Sequence, residues 1–335
     1  MKILLVGQYS TGGGVSNYLE NISKILSKRH DVHVLTYGTG SFRKNNVHEV
    51  RVPRLPGLRG LFFILKGTAE IIRLVEELQI DVVNAHYLGP PAISAVLARS
   101  IRPFPLVLTA HGSDVLGSRG RKFLSRLSLL EKSVVTAVSH ALCRKLRVDC
   151  LVAPGASKTG GKRKNADLVL FVGSLVSYKE PQTVVELARK HGELRFVILG
   201  EGPLRKKLEK SAPPNVSFLG YREDVEKFLS RGLVLVVPSR WEGLGLVVLE
   251  ANSWGVPVIA RRTGGLVEVI RDGKNGLLFD DDLEDIFSAL LDRKLNEKLG
   301  AVGRRVASLY SWNITVKTLE RAYELALELF KQHSP

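Results

Sequence analysis

Along the chain, short and nearly continuous apolar runs alternate with longer stretches whose apolar residues recur every three or four positions. The short runs predict strands buried on both faces, and the longer stretches predict helices. In the first half the predicted strands are KILLVGQ, DVHVLTYG, VHEVRVPRL, DVVNAHY, PLVLTAHG, SVVTAVS and DCLVAPG. In the second they are LVLFVGSL, LRFVILGEG, NVSFLGY, LVLVVPS, PVIARR and NGLLF. The last long stretch, YSWNITVKTLERAYELALELFKQH, puts Leu319, Tyr323, Ala326 and Leu327 on one helical face. Strands alternating with helices imply parallel sheets covered on both sides. Two such sets imply an α/β chain of two doubly wound, Rossmann-like domains.

The break falls in PGASKTGGKRKNAD, residues 154–167, which mixes Pro, Gly, Ser and Lys without apolar period. The expected domains are therefore 1–155 and 156–315. Doubly wound sheets bind ligands beyond the carboxyl ends of their strands. Two such domains facing across a cleft would carry their chemistry in the residues just after each strand.

Composition agrees with this picture. A length of 335 residues suits two domains, and 44% hydrophobic with 24% charged residues suits a globular protein. The opening MKILLVGQYS has too short an apolar run for a secretory signal, and no window approaches the roughly 20 apolar residues of a spanning helix. A cytoplasmic protein is expected. Cys143 and Cys150 lack metal-ligand spacing and read as two small buried apolar residues in a reducing compartment. The charge of +16 is uneven. Residues 1–160 carry 22 Lys and Arg against 10 Asp and Glu, and the remainder 27 against 23. The first half thus favours an anionic partner.

Several strand ends carry candidate chemistry. TGGGVSNYLENI places Gly12, Gly13 and Gly14 before a helix start, where backbone amides suit an anion. It is not GxGxxG, and no acidic residue ends the second strand, so a nicotinamide dehydrogenase is disfavoured. LTAHGSD puts His111 after a strand, able to donate a hydrogen bond or stabilise charge. His86 stands at the corresponding place on the previous strand and reads as structural. FVGSLVSYKE ends a strand at Gly173 and places Lys179 beyond it, where its charge could meet a phosphate. LGEGP is a further glycine turn.

PSRWEGLGLVVLEA is richer. Glu242 sits in a loop, a helix is predicted to open near Gly245, and Glu250 lies about one turn inside it. Amides at that helix start favour phosphate, and each carboxylate can accept from neighbouring hydroxyls such as those of sugars and riboses. The run Asp280, Asp281, Asp282 precedes a helical pattern and reads as capping and solvation, so no metal is assigned.

Together these residues resemble the retaining glycosyltransferases of family 4, glycosyl transferases group 1, which have the two-domain GT-B fold. The most specific match is PSRWEGLGLVVLEANSWGVPVIARRTGGLVEVIRDGKNGLLF, residues 238–279, whose acids keep the family's Glu-x7-Glu spacing. The glycine loop at 12–14, TAHGSD, FVGSL with its lysine, LGEGP and the YSW helix match more loosely. The resemblance implies metal-independent transfer of a sugar from a nucleoside diphosphate sugar, such as a UDP- or GDP-sugar, with retention of configuration and no cofactor. It implies that Glu242 holds the donor sugar and Glu250 the ribose. Lys179 would hold the diphosphate, with amides at Leu244, Gly245, Leu246 and Val247, and Gly173, Ser174 and Gly243 would line the donor site. His111 would face the reacting carbon, and Gly12–Gly14 the diphosphate and acceptor. The terminal helix, about 316–335, is similar to the family segment that rejoins the first domain. Ser174 stands where the family usually has Arg, so Lys158 or the Lys162–Arg163–Lys164 cluster would substitute. APGAS replaces the family's junction motif.

Two basic segments with apolar residues, 51–67 and 118–133, imply docking on an anionic membrane surface. In the second, Phe123, Leu124, Leu127 and Leu130 share a face beside Arg119, Arg121, Lys122 and Arg126. The expected acceptor is accordingly a lipid-linked or membrane-associated glycan or glycolipid. A nucleotide-sugar epimerase, a phosphorylase or a non-catalytic sugar- or nucleotide-binding protein are the alternatives. Nucleic acid binding lacks its recognition motifs.

Overall fold

The computed structural model describes residues 1–9, 13–38, 46–53, 58–116, 132–281 and 283–333. The chain divides into two compact units, Met1–Gly155 with Trp312–Pro335, and Ala156–Ser311.

The first unit contains β1 (Lys2–Tyr9), β2 (Asp31–Gly38), β3 (Val47–Glu49), β4 (Val82–His86), β5 (Leu106–Ala110), β6 (Val134–Ala137) and β7 (Cys150–Val152). They form one parallel sheet in the order β3-β2-β1-β4-β5-β6-β7. Helices Gly14–Leu26, Arg59–Leu78, Pro90–Ile101 and His140–Leu146 are among the connections. The order reverses between β1 and β4, the position at which such sheets open a crevice. Every predicted strand is present. The third is shorter than expected because it lies on the sheet edge and Pro53 follows, with no N–H to extend the ladder.

Helix Trp312–His333 belongs to this unit and packs on helix Gly14–Leu26 and on β4 to β7. Val316, Leu319, Ala322, Tyr323 and Ala326 are buried, whereas Leu327 is only half-buried. Its anchor is polar as well as apolar. Tyr323 Oη donates to Asn84 Oδ1 at 3.0 Å, and Asn84 Nδ2 donates to Thr109 Oγ1 at 2.8 Å. The Thr109 and Thr136 hydroxyls share a 2.8 Å bond, so one buried ladder crosses β4, β5 and β6 to the last helix.

The second unit contains β8 (Leu168–Val172), β9 (Arg195–Leu199), β10 (Val216–Gly220), β11 (Gly232–Val237), β12 (Val258–Arg261) and β13 (Gly276–Phe279). This sheet is also parallel, in the order β10-β9-β8-β11-β12-β13, and reverses between β8 and β11. Val169, Phe196, Val234, Val236, Phe279 and Phe287 lie in its core, which explains the unbroken apolar strands. Among the described residues no helix is long and apolar enough to cross a membrane.

Two expectations are corrected. Cys143 and Cys150 are neither buried nor unpaired: they are half-buried and joined in a disulfide, with Cα atoms 5.7 Å apart. Arg147 adopts a left-handed conformation, φ 57°, which ends helix His140–Leu146 and turns the chain back so that Cys150 meets Cys143. Asp280 does not cap a helix either. Helix Glu284–Ala289 begins from Leu283 without a side-chain cap, while Asp280 Oδ2 accepts from Arg262 Nε at 3.2 Å. Asp281 is exposed, and Asp282 lies outside the described residues.

Tyr323→Phe keeps the ring and strands the buried Asn84 carbonyl without a donor. It should destabilise the protein by about 1–3 kcal/mol, read as a lower urea midpoint with the sheet's circular dichroism retained.

Candidate active site

The second unit's site is built at the carboxyl ends of β8 and β11, neighbours across the reversal of strand order. After β8 the turn Ser177–Lys179 is bound to the loop after β11 in three ways. The Tyr178 ring stacks on Trp241 at 3.7 Å and 10°, Arg240 N donates to Tyr178 O at 2.8 Å, and Lys179 Nζ donates to Glu242 Oε1. Ser239 Oγ donates to the same carboxylate oxygen at 3.0 Å. Lys179 and Glu242 are thus brought together across 63 residues as a largely buried ion pair, each side chain less than a fifth exposed.

The Glu242 loop is fixed from its other side by TGG. A β-carbon on Gly264 would strike Glu242 O, and one on Gly265 would strike Gly243 O. Gly265 N donates to Glu242 O at 3.1 Å, so the two loops lie backbone on backbone. Helix Leu246–Ser253 then opens at Gly245 with no side-chain cap and no acidic residue in its first turn. First-turn amides have no intrahelical acceptor, so those of Leu246 and Val247 face an anion readily. Leu244 is buried beneath them.

Glu250 lies one turn inside this helix, half-buried. No hydrogen bond or ion pair to its carboxylate occurs among the described residues. Burial pushes its carboxyl up to about 7, with Lys158 nearby holding it down in part and Glu226 adding to the rise. An unpartnered carboxylate of this kind is suited to accept from hydroxyls. Gly173 donates through its N–H to Leu199 O at 2.9 Å, and LGEGP is tied to FVGSL by Leu175 N to Glu201 O at 2.8 Å. Both glycine turns therefore brace the end of β8. Ser174 is exposed. Of the proposed substitute cations, Arg163 is committed to Asn296 Oδ1 at 2.7 Å, whereas exposed Lys158 acts on Glu250.

In the first unit, His111 Nε2 stands 3.1 Å from His86 Nδ1, so one ring donates to the other. Burial lowers both, His111 to about 3, and both are neutral at physiological pH. A neutral His111 can donate a hydrogen bond without carrying charge. Its backbone is placed by Asp114, whose carboxylate accepts from the N–H groups of His111, Gly112 and Leu88, the last two at 2.7 and 2.8 Å. Tyr18 sets its ring edge-on to both His111 and Trp312, which ties the YSW segment to the histidine. Gly13 caps helix Gly14–Leu26 in extended conformation, and space is open where a side chain on Gly14 would project. Gly12 lies outside the described residues.

Sequence reasoning missed several of these partners. Buried Glu180, at φ 49°, accepts from Arg240 Nε at 2.5 Å and Arg261 Nη2 at 2.9 Å, and so joins the loops after β8 and β11 to the end of β12. Asp114 and Tyr18 were also unassigned. A carboxylate beside a proline-initiated helix and an aspartate three residues after His111 were the available signals. Among the described residues no group of three His, Cys, Asp or Glu gathers as a metal site would require.

Residues 155–306 match the family model of glycosyl transferases group 1, and residues 12–156 match that of glycosyltransferase family 4. An uncharacterized glycosyltransferase of Methanocaldococcus jannaschii is 30% identical, covering 97% of this chain and 98% of its own. The N-acetyl-alpha-D-glucosaminyl L-malate synthase of Bacillus anthracis is 27% identical over 88% of this chain and 89% of its own. The crystal structure of Anabaena HepE in complex with UDP and glucose is similar in fold, with TM-score 0.82, 18% identity, and 97% and 100% of the two chains covered.

Because Glu250 ionises less readily in the folded chain than in an unfolded one, its contribution to stability is lost as pH rises from about 4.5 to about 7. Glu250→Gln should therefore raise the unfolding temperature at pH 8 and change it little at pH 4.5, as differential scanning fluorimetry would read.

Proposed function

The chain belongs to the glycosyl transferases group 1, of the family 4 type, and from that premise we propose that it transfers a sugar from a nucleoside diphosphate sugar to an acceptor hydroxyl with retention of configuration. The observation that carries this reading is the convergence at the β8–β11 reversal of Lys179, Glu242 and an uncapped helix start, with Glu250 one turn inside. Glu242 accepts from the donor sugar's hydroxyls and Glu250 from the ribose. Lys179 and the amides from Leu244 to Val247 hold the diphosphate, and Lys158 supplies the cation that Ser174 does not. HepE, a protein of the same fold, was crystallised with UDP and glucose, which supports a donor of that chemistry.

In the reaction, the bond from the anomeric carbon to the diphosphate oxygen breaks, and positive charge grows on the sugar as negative charge grows on the leaving group. Lys179 and the helix-start amides stabilise the second, being fixed before the reaction begins. The acceptor oxygen bonds to the same face of that carbon and passes its proton to the departing phosphate oxygen. His111 donates to the donor sugar as a neutral ring, and the Gly13–Gly14 turn approaches the diphosphate and acceptor. Charge stabilisation of this kind comes from the protein and does not call on a metal ion.

The acceptor is membrane-associated in this reading. Leu58, Leu61 and Leu65 project one above another at the start of helix Arg59–Leu78, 45%, 55% and 66% exposed, with exposed Arg51 and Lys66 beside them. Apolar side chains flanked by cations suit an anionic bilayer surface. Of the other basic segment, residues 118–131 lie outside the described residues.

A panel of nucleoside diphosphate sugars should contain a donor that raises the unfolding temperature. With that donor and its acceptor, Glu242→Gln should abolish transfer while leaving the chain folded. Full activity in Glu242→Gln would remove the central claim. Vesicles of anionic lipid should retain the protein at low salt and release the Leu61→Ser, Leu65→Ser double variant. Failure of the wild-type chain to bind them would confine the acceptor to solution.

A further inference from the structure

His86, which reads as structural in the sequence, carries a polar group that the fold leaves unanswered. It ends β4, is fully buried, and its Nε2 has no hydrogen-bond partner. Its other ring nitrogen, Nδ1, faces His111 Nε2 at 3.1 Å. Packing holds the ring in place. It lies tilted against the Tyr18 ring at 5.7 Å, and a β-carbon on Gly7 of β1 would stand 3.7 Å from the His86 β-carbon.

The neighbouring polar side chains are committed elsewhere. Tyr18 Oη donates to Ala153 O at 2.9 Å, and Tyr323 Oη donates to Asn84 Oδ1 at 3.0 Å. Both Asp114 carboxylate oxygens accept from the backbone N–H groups of His111, Gly112 and Leu88. The two rings therefore settle their protons between themselves.

Burial and then the neighbouring ring hold His86 well below the usual imidazole range, and burial brings His111 to about 3. At neutral pH each ring thus holds one proton. A hydrogen bond between two neutral rings puts a single proton between the facing nitrogens, which couples their tautomers. Donation from His111 Nε2 would force the His86 proton onto Nε2, a buried N–H with no acceptor, and would leave His111 Nδ1 bare. Donation from His86 Nδ1 leaves only a bare nitrogen buried and puts the His111 proton on Nδ1. Orphaned buried N–H groups are rarer than under-satisfied acceptors, so the second arrangement is the one the packing favours. His111 Nδ1 makes no hydrogen bond among the described residues, and the residue is only half-buried, so a proton there can meet a ligand.

We infer that His86 is a positioning residue: by donating from Nδ1 to His111 Nε2 it holds His111 in the tautomer that carries its proton on Nδ1. The free edge of the His111 ring is thereby a hydrogen-bond donor. In the opposite tautomer that edge would be a bare nitrogen, unable to donate to the donor sugar. That this donor serves sugar transfer rests on the transferase activity proposed above; the place of the proton does not.

The test labels the full chain with nitrogen-15 and reads its imidazole rings by long-range proton–nitrogen correlation at pH 7. The two rings are assigned by the signals lost in His86→Asn and in His111→Asn. Both should show a protonated Nδ1 and a bare Nε2. A protonated Nε2 on His111 would overturn the inference, whether or not the chain transfers sugar. His86→Asn keeps a side-chain donor near the position of Nδ1, and should preserve the His111 tautomer and most of the transfer rate. His86→Leu removes the donor, and should release the tautomer and lower kcat about tenfold. In a His111→Asn background the same change should lower kcat no further, because its effect passes through that ring. An equal fall in both backgrounds, or a wild-type rate in His86→Leu, would reduce His86 to a packing residue and overturn its positioning role. Should His86→Leu not fold, the wild-type tautomer and the His86→Asn rate decide. A chain with the expected tautomer that transfers no sugar from any nucleoside diphosphate sugar would instead overturn the transferase reading.

Discussion

In the second unit the carbonyls of Glu242 and Gly243 rest on the α-carbons of Gly264 and Gly265, closer than any β-carbon would allow. This contact sets the height of the Glu242 loop above the sheet, and the remaining geometry follows from it. With the loop held on that side, Glu242 turns its carboxylate toward Lys179 and Ser239, and Trp241 lies flat on Tyr178. The chain then leaves Gly243 in the one direction that lets a helix open at Gly245. Three strand-end loops become one rigid piece, with buried Glu180 bridging Arg240 and Arg261 beneath it.

The two acids of this piece are treated differently. Glu242 has a lysine and a serine as partners, so its charge is compensated within the protein. Glu250 has neither and is pushed toward neutrality by its surroundings. A carboxylate left without partners destabilises the folded chain, a cost that sites commonly carry where a ligand completes them. In the first unit the histidines are handled by burial in the same way, since His86 and His111 share one hydrogen bond and neither holds a charge. Asp114 performs the structural work there, gathering the amides of two neighbouring strand ends into one carboxylate.

Much of this was legible in the order of residues. All thirteen described strands were read from apolar runs, most of them buried on both faces and so without a polar alternation to confuse the pattern. The helix opening at Gly245 was read from glycine preceding an apolar run, and Glu250 falls one turn inside as expected. The cysteines were misread because their spacing carries no disulfide signal by itself; pairing required the left-handed turn at Arg147. Asp280 and Asp281 are solvated as read, but Asp280 was misread as a cap because Arg262, eighteen residues before it in sequence, is its spatial neighbour.

Local periodicity and glycine placement act over a few residues, so the order of residues was enough to set the alternation of strand and helix, the two-domain α/β class and which residues stand at strand ends. Which of those residues meet is a matter of the packed fold. Lys179 finds Glu242 across 63 residues, and Tyr323 finds Asn84 across 239. Sheet order brings such residues together, and sheet order depends on packing of the whole unit. The same holds for Glu250, an ordinary charged residue in sequence, whose carboxylate the folded environment leaves without a hydrogen bond or ion pair among the described residues, with Lys158 offsetting its charge only in part.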